Sequence, residues 1–166
     1  MEVGELLLEL YGRLPALVRT AAGGLDAGEL RLAPAERANP VGWLVWHLTR
    51  VQDHHVAELL GTDQLWPEHA AGFGLEPDPA DTGYGHTPAE VATVRPARAE
   101  VLIEYHEAVH ARTVAYLRGL TPADLDRVVD ERWDPPVTLG VRLVSVADDA
   151  LQHAGQAAYV RGLFSD

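Results

Sequence analysis

The stretch that decides the fold is Thr138 to Gly162, TLGVRLVSVADDALQHAGQAAYVRG. At helical spacing, Leu143, Val144, Ala147, Ala150, Leu151, Ala154 and Ala158 form a broad apolar face, which predicts a long buried helix. Arg142, Ser145, Asp149, Gln152, His153 and Gln156 fall together on a narrow polar strip. Within it Asp149 and His153 stand one turn apart, so both side chains can reach one point. A carboxylate and an imidazole suit zinc, nickel or iron, but such ions need at least a third protein group. The solvated side of a helix would show the same strip.

Working outward, Val41 to Leu60, VGWLVWHLTRVQDHHVAELL, predicts a second long helix ended by Gly61, with Asn39 as its cap and Pro40 at its first position. Its core face is Leu44, Val45, Leu48, Val51, Val56 and Leu59, with parts of Trp43 and Trp46. His47 lies inside this apolar run, as a core residue bonded to a neighbour or as a ligand. His54 and His55 are seven and eight residues further on, about 10 to 12 Å along the axis at 1.5 Å per residue. Metal–ligand bonds are only about 2 Å long, so these two cannot share an ion with His47. They read as rim residues, with His54 turned towards the same cavity.

The N-terminal part predicts a helix from Val3 to Ala22, with Leu6, Leu7, Leu10, Leu14, Leu17 and Val18 inward, kinked or divided by Pro15 and ended at Gly23-Gly24. From Thr62 to Thr87 the periodicity breaks, punctuated by Pro67, Gly72, Gly74, Pro77, Pro79, Gly83 and Gly85. So long a connection usually crosses a fold or covers a site. Tyr84 and His86 sit between its glycines, placed to close over a pocket. A capping box, Thr87-Pro88-Ala89-Glu90, then opens a helix expected to run to about Arg118, bending near Pro96. A short turn from Thr121 to Val128 and an irregular segment to Val137 lead into the last helix.

Within the third long helix, His106-Glu107-Ala108-Val109-His110 matches the zinc-protease pattern H-E-x-x-H. The extended form of that motif fails, since Thr113 and Tyr116 stand where glycine and a third histidine are needed. Glu131 is a distant candidate ligand. Such proteases also use a sheet edge to align substrate, and no convincing strand precedes the motif. A histidine pair at a helix interface is the expected fate of these residues.

Four substantial amphipathic helices predict an all-α four-helix bundle with a long crossover between the second and third, in one domain spanning 1–166. A chain of this length buries roughly 70% of its unfolded surface. Sites in such bundles are built from side chains on facing helices, so His47 can meet Asp149 and His153. The net charge of -12 argues against nucleic acid or an anionic membrane as partner. With no cysteine, any metal must be held by His, Asp or Glu, and the absence of lysine excludes Schiff-base chemistry. No stretch is apolar enough to span a bilayer and the N-terminus lacks signal-peptide features, so a cytoplasmic protein is expected.

These residues make the chain resemble the DinB-like superfamily of four-helix-bundle metalloproteins. One ligand histidine of that family lies in a context like GWLVWHL, Gly42 to Leu48, and two more in an H-x-x-x-H-x-G-Q arrangement occupied here by Asp149, His153, Gly155 and Gln156. Aspartate in place of the first histidine looks like an actinobacterial-type variant with a two-histidine, one-carboxylate site. The resemblance implies a divalent ion (Zn, Ni, Fe or Mn) on His47, Asp149 and His153, a homodimer, and a small-molecule substrate. Thiol transferases and isomerases using a low-molecular-weight thiol such as bacillithiol or mycothiol are among its relatives. Metal-dependent hydrolysis and a non-catalytic metal- or ligand-binding stress protein are the alternatives.

Overall fold

A computed structural model describes residues 2–164. Helices α1 (Val3–Tyr11), α2 (Leu14–Ala22), α3 (Val41–Leu60), α6 (Ala99–Leu117) and α7 (Leu139–Phe164) carry the bundle. Single turns α4 (Trp66–His69) and α5 (Pro88–Val91) lie in the crossover, and a two-stranded antiparallel ribbon, β1 (Val128–Asp130) with β2 (Val137–Thr138), precedes α7. The α1–α2 leg, α3, α6 and α7 pack in a ring: α3 on α7, α7 on α2, α2 on α6, and α6 back on α3. The all-α bundle with a long crossover is therefore the observed architecture.

Several local expectations are corrected. The N-terminal helix divides at Gly12-Arg13 and restarts with Pro15 at the second position of α2, where its missing N–H costs no helical bond. Leu6 and Leu17 face outward. Pro40 itself caps α3, whose first turn begins at Val41. The third helix does not bend at Pro96; it stops after α5 and restarts at Ala99, with Pro96 buried between. On α7, Val144 and Ala158 are exposed, while Leu139, Val146, Ala157 and Val160 join Leu143, Ala147, Ala150 and Ala154 in the core. The ribbon replaces part of the expected irregular segment.

The crossover is not a loose loop. Trp66 and Phe73 plug into the core, in ring contact with each other and with Tyr105 of α6. A fully buried polar cluster fastens it. The Asp53 carboxylate accepts the backbone N–H groups of Leu65 and Trp66 at 3.0 and 2.9 Å and the Tyr105 hydroxyl at 2.8 Å. Arg50, also fully buried, donates to Gln64 Oε1 at 2.8 Å, to the Asp81 carbonyl at 3.0 Å and to the Pro79 carbonyl at 3.1 Å. Its guanidinium lies over the Trp66 ring and 3.7 Å from Asp53. Every bond of Arg50 thus ties α3 to the segment between residues 64 and 81 or to the residues that hold it.

Removing one partner of a buried ion pair strands the other and costs about 3–5 kcal/mol. Arg50→Met should accordingly lower the thermal midpoint by about 10 °C, given about 2–4 °C per kcal/mol for a chain of this size. Circular dichroism melting of the variant beside the parent checks this; a shift of a degree or two would mean that the crossover is held by its apolar plugs alone.

Candidate metal centre

Asp149 and His153 project from one face of α7, and His47 meets them from α3, the helix packed most extensively on α7. His47 Nε2 is 3.6 Å and His153 Nε2 3.4 Å from the same oxygen, Asp149 Oδ1. Asp148, the neighbouring carboxylate, points elsewhere and accepts from Gln152 at 2.8 Å.

The other ring nitrogens explain the orientation. His47 Nδ1 lies 2.5 Å from the Thr82 carbonyl oxygen, which can only accept, so this nitrogen carries the proton. His153 Nδ1 is 2.8 Å from Gln156 Oε1 and donates likewise. In each neutral ring the lone pair then sits on Nε2, aimed at Asp149. Two lone pairs and a carboxylate facing one another need a positive charge between them, a proton or a metal ion. The distances favour the ion: they exceed the 2.7–3.2 Å of an N–H···O bond, yet ligands about 2 Å from a tetrahedral centre lie about 3.3 Å apart. Asp149 Oδ2 is buried without a partner.

The electrostatics agree. Burial opposes the Asp149 charge, but the facing imidazoles of His153 and His47 outweigh it and hold the carboxyl down at about 2. Asp149 in turn raises His153 against the effect of burial. His47 is clamped further: Trp43 stacks on its ring at 4.7 Å and 8°. Trp43 Nε1, which can only donate, bonds His86 Nδ1 at 3.2 Å, so His86 Nε2 carries the proton that Asp81 accepts at 2.9 Å. Gly83 has φ +88°, and a Cβ there would come within 2.7 Å of Trp46 and 2.9 Å of His47 Nδ1. Only glycine lets the loop approach this closely. His86 therefore braces the loop rather than closing over the site, and Tyr84 stands 93% exposed at the rim.

A cavity of about 420 Å³ opens beside His47 and Asp149, lined also by His54, His55, Arg142 and several valines. His54 and His55 do share it, without joining the His47 group. With Glu58 they form a second cluster of three possible ligands. Arg142 Nη1 is 2.8 Å from His55, however, and burial followed by that guanidinium pushes the His55 pKa down to about 4, surroundings hostile to a cation.

His106 and His110 lie elsewhere, against α3. The Thr49 hydroxyl donates to the Val45 carbonyl at 2.8 Å and accepts from His106 Nδ1 at 3.3 Å. Glu107 faces outward and pairs with Arg19 at 2.7 Å. Among the described residues no third His, Asp or Glu ligand joins the two histidines, and the motif is a bundle-interface pair. What the sequence reading missed is the support: the Thr82 carbonyl, Gly83 and the Trp43–His86–Asp81 chain. The punctuation of the loop by glycines was the one visible signal.

Comparison with known proteins agrees with the architecture. The DinB superfamily model matches residues 10–157. A crystal structure of a conserved protein from Enterococcus faecalis superposes with a TM-score of 0.89 at 36% identity, over 98% of this chain and 97% of that one. No curated protein matches.

Burial, then the neighbouring His110, lowers His106 to about 3. The unfolded chain binds a proton below about 6.5 and the folded one does not, so stability falls as pH drops through this window, by about 1.4 kcal/mol per unit. Urea titrations at pH 6.5 and 4.5 should differ by about 2–3 kcal/mol from this residue alone. His106→Gln should flatten the slope; an unchanged slope would show that His106 titrates normally.

Proposed function

Because the chain belongs to the DinB superfamily, we propose that His47, Asp149 and His153 hold a divalent metal ion and that the protein is a metal-dependent enzyme acting on a small molecule. The carrying observation is the convergence of two Nε2 lone pairs on Asp149 Oδ1 at 3.4 and 3.6 Å, with each Nδ1 anchored on an oxygen. An anchored second nitrogen fixes the tautomer and orientation of metal-binding imidazoles. Two neutral histidines and one carboxylate suit zinc, iron, manganese or nickel. Three protein ligands leave positions open for a substrate.

The leading chemistry is thiol addition or transfer. When bound, a divalent ion supplies the charge that keeps a coordinated thiol or water deprotonated near neutral pH. The chain has no cysteine, so a sulfur nucleophile must come from outside, as a low-molecular-weight thiol. The residues of the chain do the rest: His47 is fixed by Thr82 and Trp43, Asp149 offsets the charge of the ion, and the loop between residues 78 and 87 walls off one side. The 420 Å³ cavity beside them is of a size for small ligands. The homodimer implied by the family belongs to the same proposal; exposed Val144 and Tyr159 on the outward side of α7 offer apolar surface to a second copy.

Elemental analysis of protein purified without a histidine tag tests the assignment. Near-stoichiometric metal is expected in the parent and in His106→Ala, and loss of it in His47→Ala and His153→Ala. Metal that disappears only with His106 would move the site to the other histidine pair, and a parent that takes up none after reconstitution would defeat the proposal. Turnover of a small electrophile on adding a low-molecular-weight thiol to the metal-loaded protein then separates thiol transfer from hydrolysis, which would proceed without it.

A further inference from the structure

The cavity beside the metal residues has a second polar end. Arg142 sits on α7 seven residues before Asp149, two turns or about 10 Å along the axis, with Ser145 one turn from each. Its Nη2 donates to Asp130 Oδ2 at 2.8 Å and its Nη1 lies 2.8 Å from His55 Nδ1. A guanidinium has five N–H donors, so these contacts orient it without exhausting it.

The charge balance of this end is unusual. Asp130, only 6% exposed, also takes two side-chain bonds from Arg132, both at 2.8 Å. One carboxylate is thus shared by two guanidiniums, and the unit carries a net positive charge. Bonds from Arg132 and then Arg142 hold the Asp130 carboxyl far below its ordinary range, so the unit keeps this composition throughout the neutral range. His55 beside it is uncharged at neutral pH. The opposing charges are Glu58, half-exposed and 3.5 Å from His55, and Asp149 at the far end of the cavity. A divalent ion on Asp149 would reverse the sign at that end and leave the cavity cationic. Between the two ends Val51, Val137, Val141 and Val146 make an apolar wall, with Ser145 beside them.

We propose that this cavity takes a small carboxylate with an apolar body, its carboxylate seated on Arg142 and its body lying along the valines towards the metal residues. The inference deepens the metalloenzyme reading and rests on it for the sign of the field. A planar guanidinium matches a carboxylate in a way that an ammonium does not. His55 and Asp130 act as positioning residues: they aim the guanidinium and neither touches the substrate's reacting end. A neutral amide of the same shape would meet the same apolar wall while losing a charge-assisted bond, a loss of about tenfold or more in affinity.

Fluorine NMR titration with 4-fluorobenzoate and 4-fluorobenzamide tests this on zinc-loaded and metal-free full-length protein, with zinc content measured in each sample. The zinc-loaded parent should bind the carboxylate at least about tenfold more tightly than the amide. The double variant Asp130→Asn with Arg142→Gln removes the buried pair together, so that neither charge is stranded, and circular dichroism confirms its fold. It should keep its zinc and lose the preference. A preference that persists in the double variant would place the carboxylate on the metal and overturn the proposal, as would equal binding of the two probes by the zinc-loaded parent. A parent that takes up no zinc would instead overturn the metal reading. The metal-free titration then decides the carboxylate site by itself: a preference abolished in the double variant upholds it, and no preference removes it.

Discussion

A fully buried guanidinium is expensive to desolvate, and a chain keeps one only where every donor meets an acceptor. Arg50 meets that condition by drawing the crossover down onto α3, because its acceptors are backbone carbonyls of residues 79 and 81 and the side chain of Gln64. Asp53, one turn on, captures the amides that start α4. The next residue after Asp81 is Thr82, whose carbonyl fixes the tautomer of His47. One buried ion pair thereby links the packing of a long connection to the direction of a lone pair at the centre. Without it Trp66 and Phe73 could still bury themselves, and the loop would be held against His47 only by the Trp43–His86–Asp81 chain and the close packing of Gly83.

The second constraint is charge at the centre itself. Two histidines and an aspartate present one negative charge, which a divalent ion overcompensates, whereas three histidines would present none. Asp149 therefore lowers the net charge of a loaded centre and leaves a weaker Lewis acid than an all-histidine site would give. It also creates a liability in the protein without metal, where a carboxylate oxygen faces two imidazoles and a proton must take the place of the ion. The upward shift of His153 by Asp149 expresses that demand. An ion taken up at the proposed centre would have to displace this proton, so its affinity would fall as pH falls.

What could be read from the chain follows from which atoms carry information. The helix Val41 to Leu60 was legible apart from its cap, because its apolar repeat and Gly61, in the left-handed conformation at φ +65°, mark both body and end. The convergence of His47, Asp149 and His153 was legible because the i, i+4 pair on α7 and the lone histidine in an apolar run are side-chain patterns. Gly83 and the Thr82 carbonyl were not, since a backbone acceptor is the same atom at every position and only the folded loop says which one reaches His47. Arg50 and Asp53 were in plain view as an i, i+3 pair, but on a helix an ion pair usually faces water, and burial could not be inferred from spacing. The rotation of α7 was misjudged for a related reason. Alanine and valine are apolar enough for either side, so Val144 and Ala158 gave no warning that they face out.

Two i, i+4 pairs on the helices of this chain show why letters alone do not make a site. His106 and His110 have the spacing of a zinc-protease motif, and Asp149 and His153 have the same i, i+4 geometry. In the first pair His106 is buried against Thr49, its glutamate is turned away to Arg19, and among the described residues no third His, Asp or Glu ligand joins the two histidines. A divalent ion there would enter a low-dielectric region with two neutral ligands and no compensating carboxylate, a cost that two imidazole bonds do not offset. The second pair includes its own anion, is met by a third possible ligand from α3, and borders an open cavity. The difference lies in the neighbours that the crossover and α3 bring to each pair, and those are properties of the bundle rather than of the motif.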